Sequence, residues 1–213
     1  MRIDIWSDIV CPWCYVGKRR FESALTRFEH RDDVHVVHRS FQLNPAAPRD
    51  GTSSRREMLM RKYRLSPEQV VEMDARMTQT AAADGLEYHL EGTLTGNTLD
   101  AHQLVHLGQV RGVQDAVVDR LYRAYFTEQR SIFDHASLVD LAGEAGLDRE
   151  DAAAALRENR FAEAVETDNE LAHRLGATGV PFFVIDERYG ISGAQAQDVF
   201  LDVLEKAYQS VGA

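Results

Sequence analysis

Apolar positions alternate at the start of the chain and then change period. Ile3 and Ile5 share one face of residues 2–7, and Trp6 adds β propensity, so this stretch predicts a strand. From Cys11 to about Phe28, Val16, Phe21, Ala24, Leu25 and Phe28 recur at three- and four-residue spacing, the mark of a helix. Pro12 suits its first turn, where a missing N–H removes no hydrogen bond. Residues 34–43 (VHVVHRSFQL) predict a second strand, completing a β-α-β unit.

Residues 44–54 form a loop rich in Pro, Gly, Ser and Asp. Beyond it the period is helical. Ser66-Pro67-Glu68-Gln69 predicts a capped helix start, with Gly85 near its end. A further helix is expected from Asn97 or Thr98 through Gly108, and others at about 114–127, 135–145, 149–157 and 161–175. No strand is expected between about 50 and 165. The period changes again at residues 180–185 (VPFFVI), which suit a buried strand. Tyr189–Ser192 is a candidate strand after a brief turn. Val199, Phe200, Val203, Leu204 and Ala207 then share one face of a helix over 196–208.

A β-α-β opening and a β-β-α close, with helices between, predict an α/β sheet domain interrupted by an all-helical insertion. The expected boundaries are residues 1–48 and 166–213 for the sheet domain and 49–165 for the insertion. The chain's 213 residues suffice for that arrangement, and 44% hydrophobic and 27% charged residues place it among globular proteins.

Charge narrows the partners. Acidic residues outnumber basic ones 34 to 24, for a net charge of −10, whereas nucleic-acid binders normally carry a basic surplus. The pairs Arg19-Arg20 and Arg55-Arg56 are read as solvated helix faces. No apolar run reaches the roughly 18 residues of a membrane span. The first eight residues carry two acids and no small-residue cleavage site, so a cytoplasmic location is expected.

The chain has two cysteines, Cys11 and Cys14, which excludes a disulfide framework. In Cys11-Pro12-Trp13-Cys14 one sulfur stands at the end of the strand and the other inside the first helical turn. The first then faces unpaired backbone N–H groups and the positive end of the helix dipole, which favour thiolate over thiol. The thiolate is the nucleophile of disulfide exchange. Cys11 would form a mixed disulfide and Cys14 would resolve it. A zinc site needs more ligands than one such pair, and the eight histidines are scattered, so no metal is expected. His102 and His106 lie four apart on a helix, without a third ligand in view. Met58, Met60, Met73 and Met77 are read as core.

Ser7-Asp8 before the Cys-Pro-Trp-Cys motif, Asn97-Thr98 followed by Ala101-His102, and Gly179-Val180-Pro181 in the late apolar run together resemble the DsbA-like branch of the thioredoxin superfamily, and within it the FrnE-like proteins. The resemblance covers essentially the whole chain. It implies a thioredoxin-like fold, a cis peptide between Val180 and Pro181 beside the cysteines, and a protein-disulfide oxidoreductase. It further implies that Pro12, Trp13, Val180 and Pro181 contact substrate, with Asn97 and His102 lining the substrate cleft. The partners would be protein or small-molecule thiols and disulfides, with glutathione a candidate co-substrate and no bound cofactor, acting as a monomer or homodimer. One position departs from the pattern. Relatives often carry a buried acid six residues before the first cysteine, where this chain has Ile5. Asp4 should face the other way, and Asp8 lies nearer the pair on a loop. Two other readings share the architecture or the motif. Kappa-type glutathione transferases and 2-hydroxychromene-2-carboxylate isomerases usually carry Ser at the attacking position, and a redox-sensing binding module would show no turnover.

Overall fold

The computed structural model describes residues 1–49 and 51–210. The chain divides into two compact units, one of Met1–Leu43 with Glu166–Ala213, the other of Asn44–Val165.

The first unit is built on a four-stranded sheet. Strands β1 (Arg2–Ser7) and β2 (His35–Ser40) are joined by helix α1 (Pro12–Arg27). That crossover makes the pair parallel, with Ile3 opposite Val36 and Ile5 opposite His38. Strand β2 is shorter than expected. The Phe41 N–H still reaches Ser7 O, but the Leu43 N–H turns to the Asp8 carboxylate. In the second unit, strand β3 (Ser53–Ser54) precedes helices α2 (Arg55–Tyr63) and α3 (Pro67–Ala83). Strand β4 (Leu94–Thr95) precedes α4 (Leu99–Arg111), α5 (Gln114–Phe126), α6 (His135–Glu144) and α7 (Arg149–Arg157). Helix α8 (Ala162–Arg174) returns the chain to the first unit. There β5 (Phe182–Ile185), β6 (Tyr189–Ser192) and α9 (Gln197–Gln209) finish it. The strand order is β2-β1-β5-β6, with β5 antiparallel to both neighbours.

Alternation decides what each face of this sheet buries. Ile3 and Ile5 of β1 join Phe183 and Ile185 of β5 in one cluster, with Phe21 and Ala24 of α1, Phe28 just past its end, and Phe200 and Leu204 of α9. Phe200 meets Phe183 edge-on at 4.7 Å and Phe21 at 5.8 Å, geometries that favour aromatic pairs beyond their buried area. The other face carries Trp6, Phe182 and Val184, packed with Phe41, Ala172 and Ala177. Because both faces are covered, β5 is an unbroken apolar run. Its hairpin to β6 turns on Asp186 and Glu187, both at positive φ; Asp is common in such turns, whereas Glu is not.

Asp4 lies on the Trp6 side, where it holds an ion network. Its carboxylate accepts from Arg2 at 2.9 Å and from Arg39 Nε at 2.8 Å. Arg39 also donates to Asp168 Oδ1 at 3.0 Å. Asp168 Oδ2 accepts the Ser40 N–H, and its main-chain oxygen accepts Trp6 Nε1. The network fastens β1 and β2 to α8.

In the second unit, Ser66 and Gln69 form a complete capping box at the start of α3. Side chains of Ser54, Asp134 and Asp148 cap α2, α6 and α7. Two expectations are corrected here. The region read as strand-free contains the antiparallel pair β3–β4, in which Ser53 faces Thr95 and Ser54 faces Leu94; two-residue strands are too short to show a period. Arg55, read as a solvated cation, is 6% exposed and forks onto Asp74 at 2.9 and 3.0 Å. Among the described residues, no helix is long and apolar enough to cross a membrane.

Candidate active site

Helix α1 begins one residue after Cys11. Cys11 is its N-cap, in extended conformation, and Pro12 occupies the first helical position. Cys14 falls in the first turn, its N–H reaching Cys11 O at 3.0 Å. Both cysteines are free thiols and both are buried, Cys11 5% exposed and Cys14 1%. The Cys11 thiol is among the neighbours that hold the proton on Cys14. Between them Trp13 is 46% exposed, a large aromatic surface left in solvent beside the pair.

The Val180–Pro181 peptide is cis. It lies just before β5, which places the Val180 carbonyl over the N-terminus of α1, where it accepts the Cys11 thiol at 3.6 Å. Pro181 O in turn accepts the Gly193 N–H at 2.8 Å, and Arg20 of α1 donates to Ala194 O at 2.8 Å. Residues 193–195 thus brace the Pro181 loop against α1; the helix itself starts later, at Gln197. Gly17 allows this approach: a β-carbon there would stand 2.8 Å from Pro181 Cγ. Sequence reading missed Gly17, although a lone glycine inside a helical pattern signals close packing.

Burial pushes the Cys14 thiol well above the ordinary cysteine pKa, because a thiolate there would be cut off from water. The hydrogen bond and the charge of Cys11 act in the same direction. A backbone hydrogen bond from Asp8 works against the rise, and the Asp8 charge adds to it. Asp8 is therefore more than a loop residue. It is 1% exposed, its main-chain oxygen accepts the Cys11 N–H at 3.0 Å, and its Oδ2 accepts the Leu43 N–H at 2.7 Å. Ile5, at the position where relatives often carry an acid, is packed among Ile3, Phe21 and Phe183.

Cys11, Pro12, Trp13, Cys14, Val180 and Pro181 thus come together within the first unit. Asn97 and His102 belong to the second. The Asn97 amide donates to Pro45 O at 2.7 Å and its Oδ1 accepts the Leu99 N–H at 2.9 Å, which organises the start of α4. His102 is buried in α4, and His106 lies flat against Phe161 at 6.2 Å.

The chain matches the DSBA-like thioredoxin domain family over residues 2–205 and belongs to it. A probable DsbA oxidoreductase from Streptomyces coelicolor is 48% identical and superposes with a TM-score of 0.94, over 98% of this chain and 90% of that one. The cytosolic disulfide reductase DsbM from Pseudomonas aeruginosa, solved with glutathione, is 18% identical with a TM-score of 0.67, over 98% of this chain and 100% of its own. A 2-hydroxychromene-2-carboxylate isomerase is 17% identical with a TM-score of 0.71, over 99% and 96% of the two chains. At such identities the last two share the fold, which serves both redox and isomerase chemistry.

Proposed function

We propose that this DsbA-like protein is a thiol–disulfide oxidoreductase in which Cys11 is the attacking sulfur and Cys14 the resolving one. The observation that carries the reading is two free, buried thiols at the N-terminus of α1, Cys11 as its N-cap and Cys14 in its first turn. The Cys11 thiolate would attack a disulfide R–S–S–R′, forming Cys11–S–S–R and releasing R′–S⁻. Cys14 would then attack the Cys11 sulfur, closing the Cys11–Cys14 disulfide and releasing R–S⁻. Two electrons pass to the substrate, and the reverse sequence oxidises a dithiol. Trp13 offers an apolar contact to a bound chain, and the backbone at Val180 offers a polar edge for an extended segment, as in strand addition. Substrates would be protein or small-molecule thiols and disulfides, glutathione among them, in the cytoplasm, with no bound cofactor.

An isomerase or transferase would use Cys11 only to hold glutathione and has no use for Cys14 as a thiol. The second cysteine, in the same helical turn as the first, favours redox chemistry. The test is thiol counting after mild oxidation, joined to trapping with a Cys14→Ala variant. The expected results are loss of both thiols without a change in mass-determined subunit number, and covalent partners that dithiothreitol releases. Two thiols still free after oxidation would falsify the reading.

A further inference from the structure

We infer that Arg20 is a positioning residue that sets substrate choice: by tying residues 193–195 to α1 it fixes the main-chain edge at Val180, and so favours polypeptide disulfides over small ones. The inference rests on the oxidoreductase reading and adds which disulfides that site prefers.

The edge lies beside the attacking sulfur. Among the described residues, the Val180 carbonyl accepts the Cys11 thiol alone, at 3.6 Å. That bond is lost when Cys11 enters a mixed disulfide, because the sulfur then has no proton to donate. Among the described residues, the Val180 N–H has no acceptor. A half-buried main-chain amide needs water or a ligand to satisfy it. An extended chain joined to Cys11 through its own cysteine can pair with both Val180 groups, as a strand adds to a sheet edge. A small disulfide has no main chain to offer.

What fixes Val180 comes from further along the chain. Pro181 O accepts the Gly193 N–H at 2.8 Å, just ahead of the ladder that starts at Phe182. The place of Val180 therefore follows that of residues 193–195. This segment is half-exposed to exposed. Gln195 bonds within it and to the end of β6, its N–H to Gly193 O at 3.0 Å and its side-chain amide to Ser192 O at 2.7 Å. The tie to α1 is Arg20, whose Nη1 donates to Ala194 O at 2.8 Å. Gly17, three residues earlier and so on the same face of the helix, leaves room for the Pro181 ring and the Ala194 methyl. One strip of α1 thus receives both parts of the loop, Gly17 by close contact and Arg20 by a charged donor. Read from the sequence as half of a solvated basic pair, Arg20 has instead a partner 174 residues along the chain. It stands about 13 Å beyond Cys11 along the helix axis, at 1.5 Å per residue. It therefore acts by placing the edge and not on the reacting atoms.

Two mixed disulfides of thionitrobenzoate test this, one carried by the cysteine of an extended peptide and the other by 2-mercaptoethanol. Their chemistry is the same. The Cys11 thiolate attacks the carrier sulfur, and the Cys11–sulfur bond forms. The bond to thionitrobenzoate breaks, and thionitrobenzoate leaves with the electron pair. Stopped-flow absorbance gives a rate constant for each probe, and their ratio cancels the reactivity of Cys11. Dividing by the same ratio for free dithiothreitol removes the intrinsic difference between the probes. Wild type should favour the peptide. Arg20→Met keeps the aliphatic stem and removes the donor, and the preference should fall about fivefold to tenfold, the scale of one hydrogen bond. Arg20→Lys keeps a charge and a donor on a shorter arm, and should lie between.

A role confined to stability moves the urea midpoint or slows both probes together, and leaves the ratio alone. Equal ratios in wild type and Arg20→Met overturn the inference, as does a wild type without preference for the peptide. Should Arg20→Met fail to fold, Arg20→Lys carries the test, and a wild-type ratio there overturns it. Each of these outcomes leaves the oxidoreductase reading intact. Wild type that releases thionitrobenzoate from neither probe sinks both.

Discussion

Gly17 and Pro181 meet so closely that a β-carbon on Gly17 would lie 2.8 Å from the Pro181 ring and 3.4 Å from the Ala194 methyl. Two effects oppose each other in Gly17→Ala. Removing a mid-helix glycine stabilises by about 0.5–1 kcal/mol. Overpacking against a rigid ring costs about 1–3 kcal/mol. The clash should win, with a net loss on the order of 1 kcal/mol in urea denaturation. Relief of the clash pushes the Pro181 loop off α1, which lengthens the contact of Cys11 with Val180 O. Disulfide exchange should therefore slow as well. Gly17→Ala that is both more stable and fully active would show that the loop does not depend on this contact.

The two thiols should differ in reactivity with iodoacetamide. Cys14 is the more buried, and its thiolate is disfavoured by desolvation. Mass mapping of partly alkylated protein at neutral pH should find label on Cys11 well before Cys14. Insulin reduction should vanish in Cys11→Ser. Equal labelling of the two cysteines would reverse or abolish the assignment of roles.

Asp168 anchors more structure than one ion pair. Its carboxylate takes Arg39 and the Ser40 N–H, and both groups lie at the junction of β2 with α8. Asp168→Ala leaves the buried amide without its acceptor and Arg39 with only Asp4. Arg39 is part-buried and keeps Asp4, so the main loss is the acceptor of the buried Ser40 N–H, which costs about 1–3 kcal/mol. A chemical-denaturation midpoint shifted by that order should result. A loss under 1 kcal/mol would mean that water replaces the carboxylate there.

The parts legible in the sequence are those where period and chemistry are local. Ile3 and Ile5 alternate, α1 repeats every three to four residues, and Cys11 and Cys14 sit where one pattern gives way to the other. The parts that were not legible depend on contacts distant along the chain. Nothing near Arg55 announces Asp74 as its buried partner, and nothing near Gly17 announces Pro181. Strands β3 and β4 are too short for alternation to register. Asp8 lies in a stretch without regular period, so its burial is settled only when residues 40–43 pass over it and present the Leu43 N–H. Strand alternation alone puts Asp4 on the face opposite Ile5, but its partner Arg39, and through it Asp168, come from elsewhere in the fold.

The raised pKa of Cys14 makes the stability of the reduced protein depend on pH, and the sign can be worked out. The unfolded chain ionises this thiol near the ordinary cysteine value, about 8.5. The folded chain holds the proton to higher pH, because burial and the field of its neighbours oppose the thiolate. Below about pH 8.5 both states are protonated at Cys14, and its contribution to stability is fully present. Above it the unfolded state binds fewer protons, so stability falls as pH rises toward the folded pKa. One such group gives a slope of at most about 1.4 kcal/mol per pH unit. Wild-type reduced protein should therefore lose stability between pH 8.5 and 10 more steeply than Cys14→Ala, which lacks the titrating thiol. The oxidised protein should also lack this component, since its disulfide has no proton to lose. Urea denaturation of the three forms across that window measures the difference directly. Parallel curves for reduced wild type and Cys14→Ala would show that Cys14 ionises in the folded protein as it does in the unfolded chain, and that its pocket admits water.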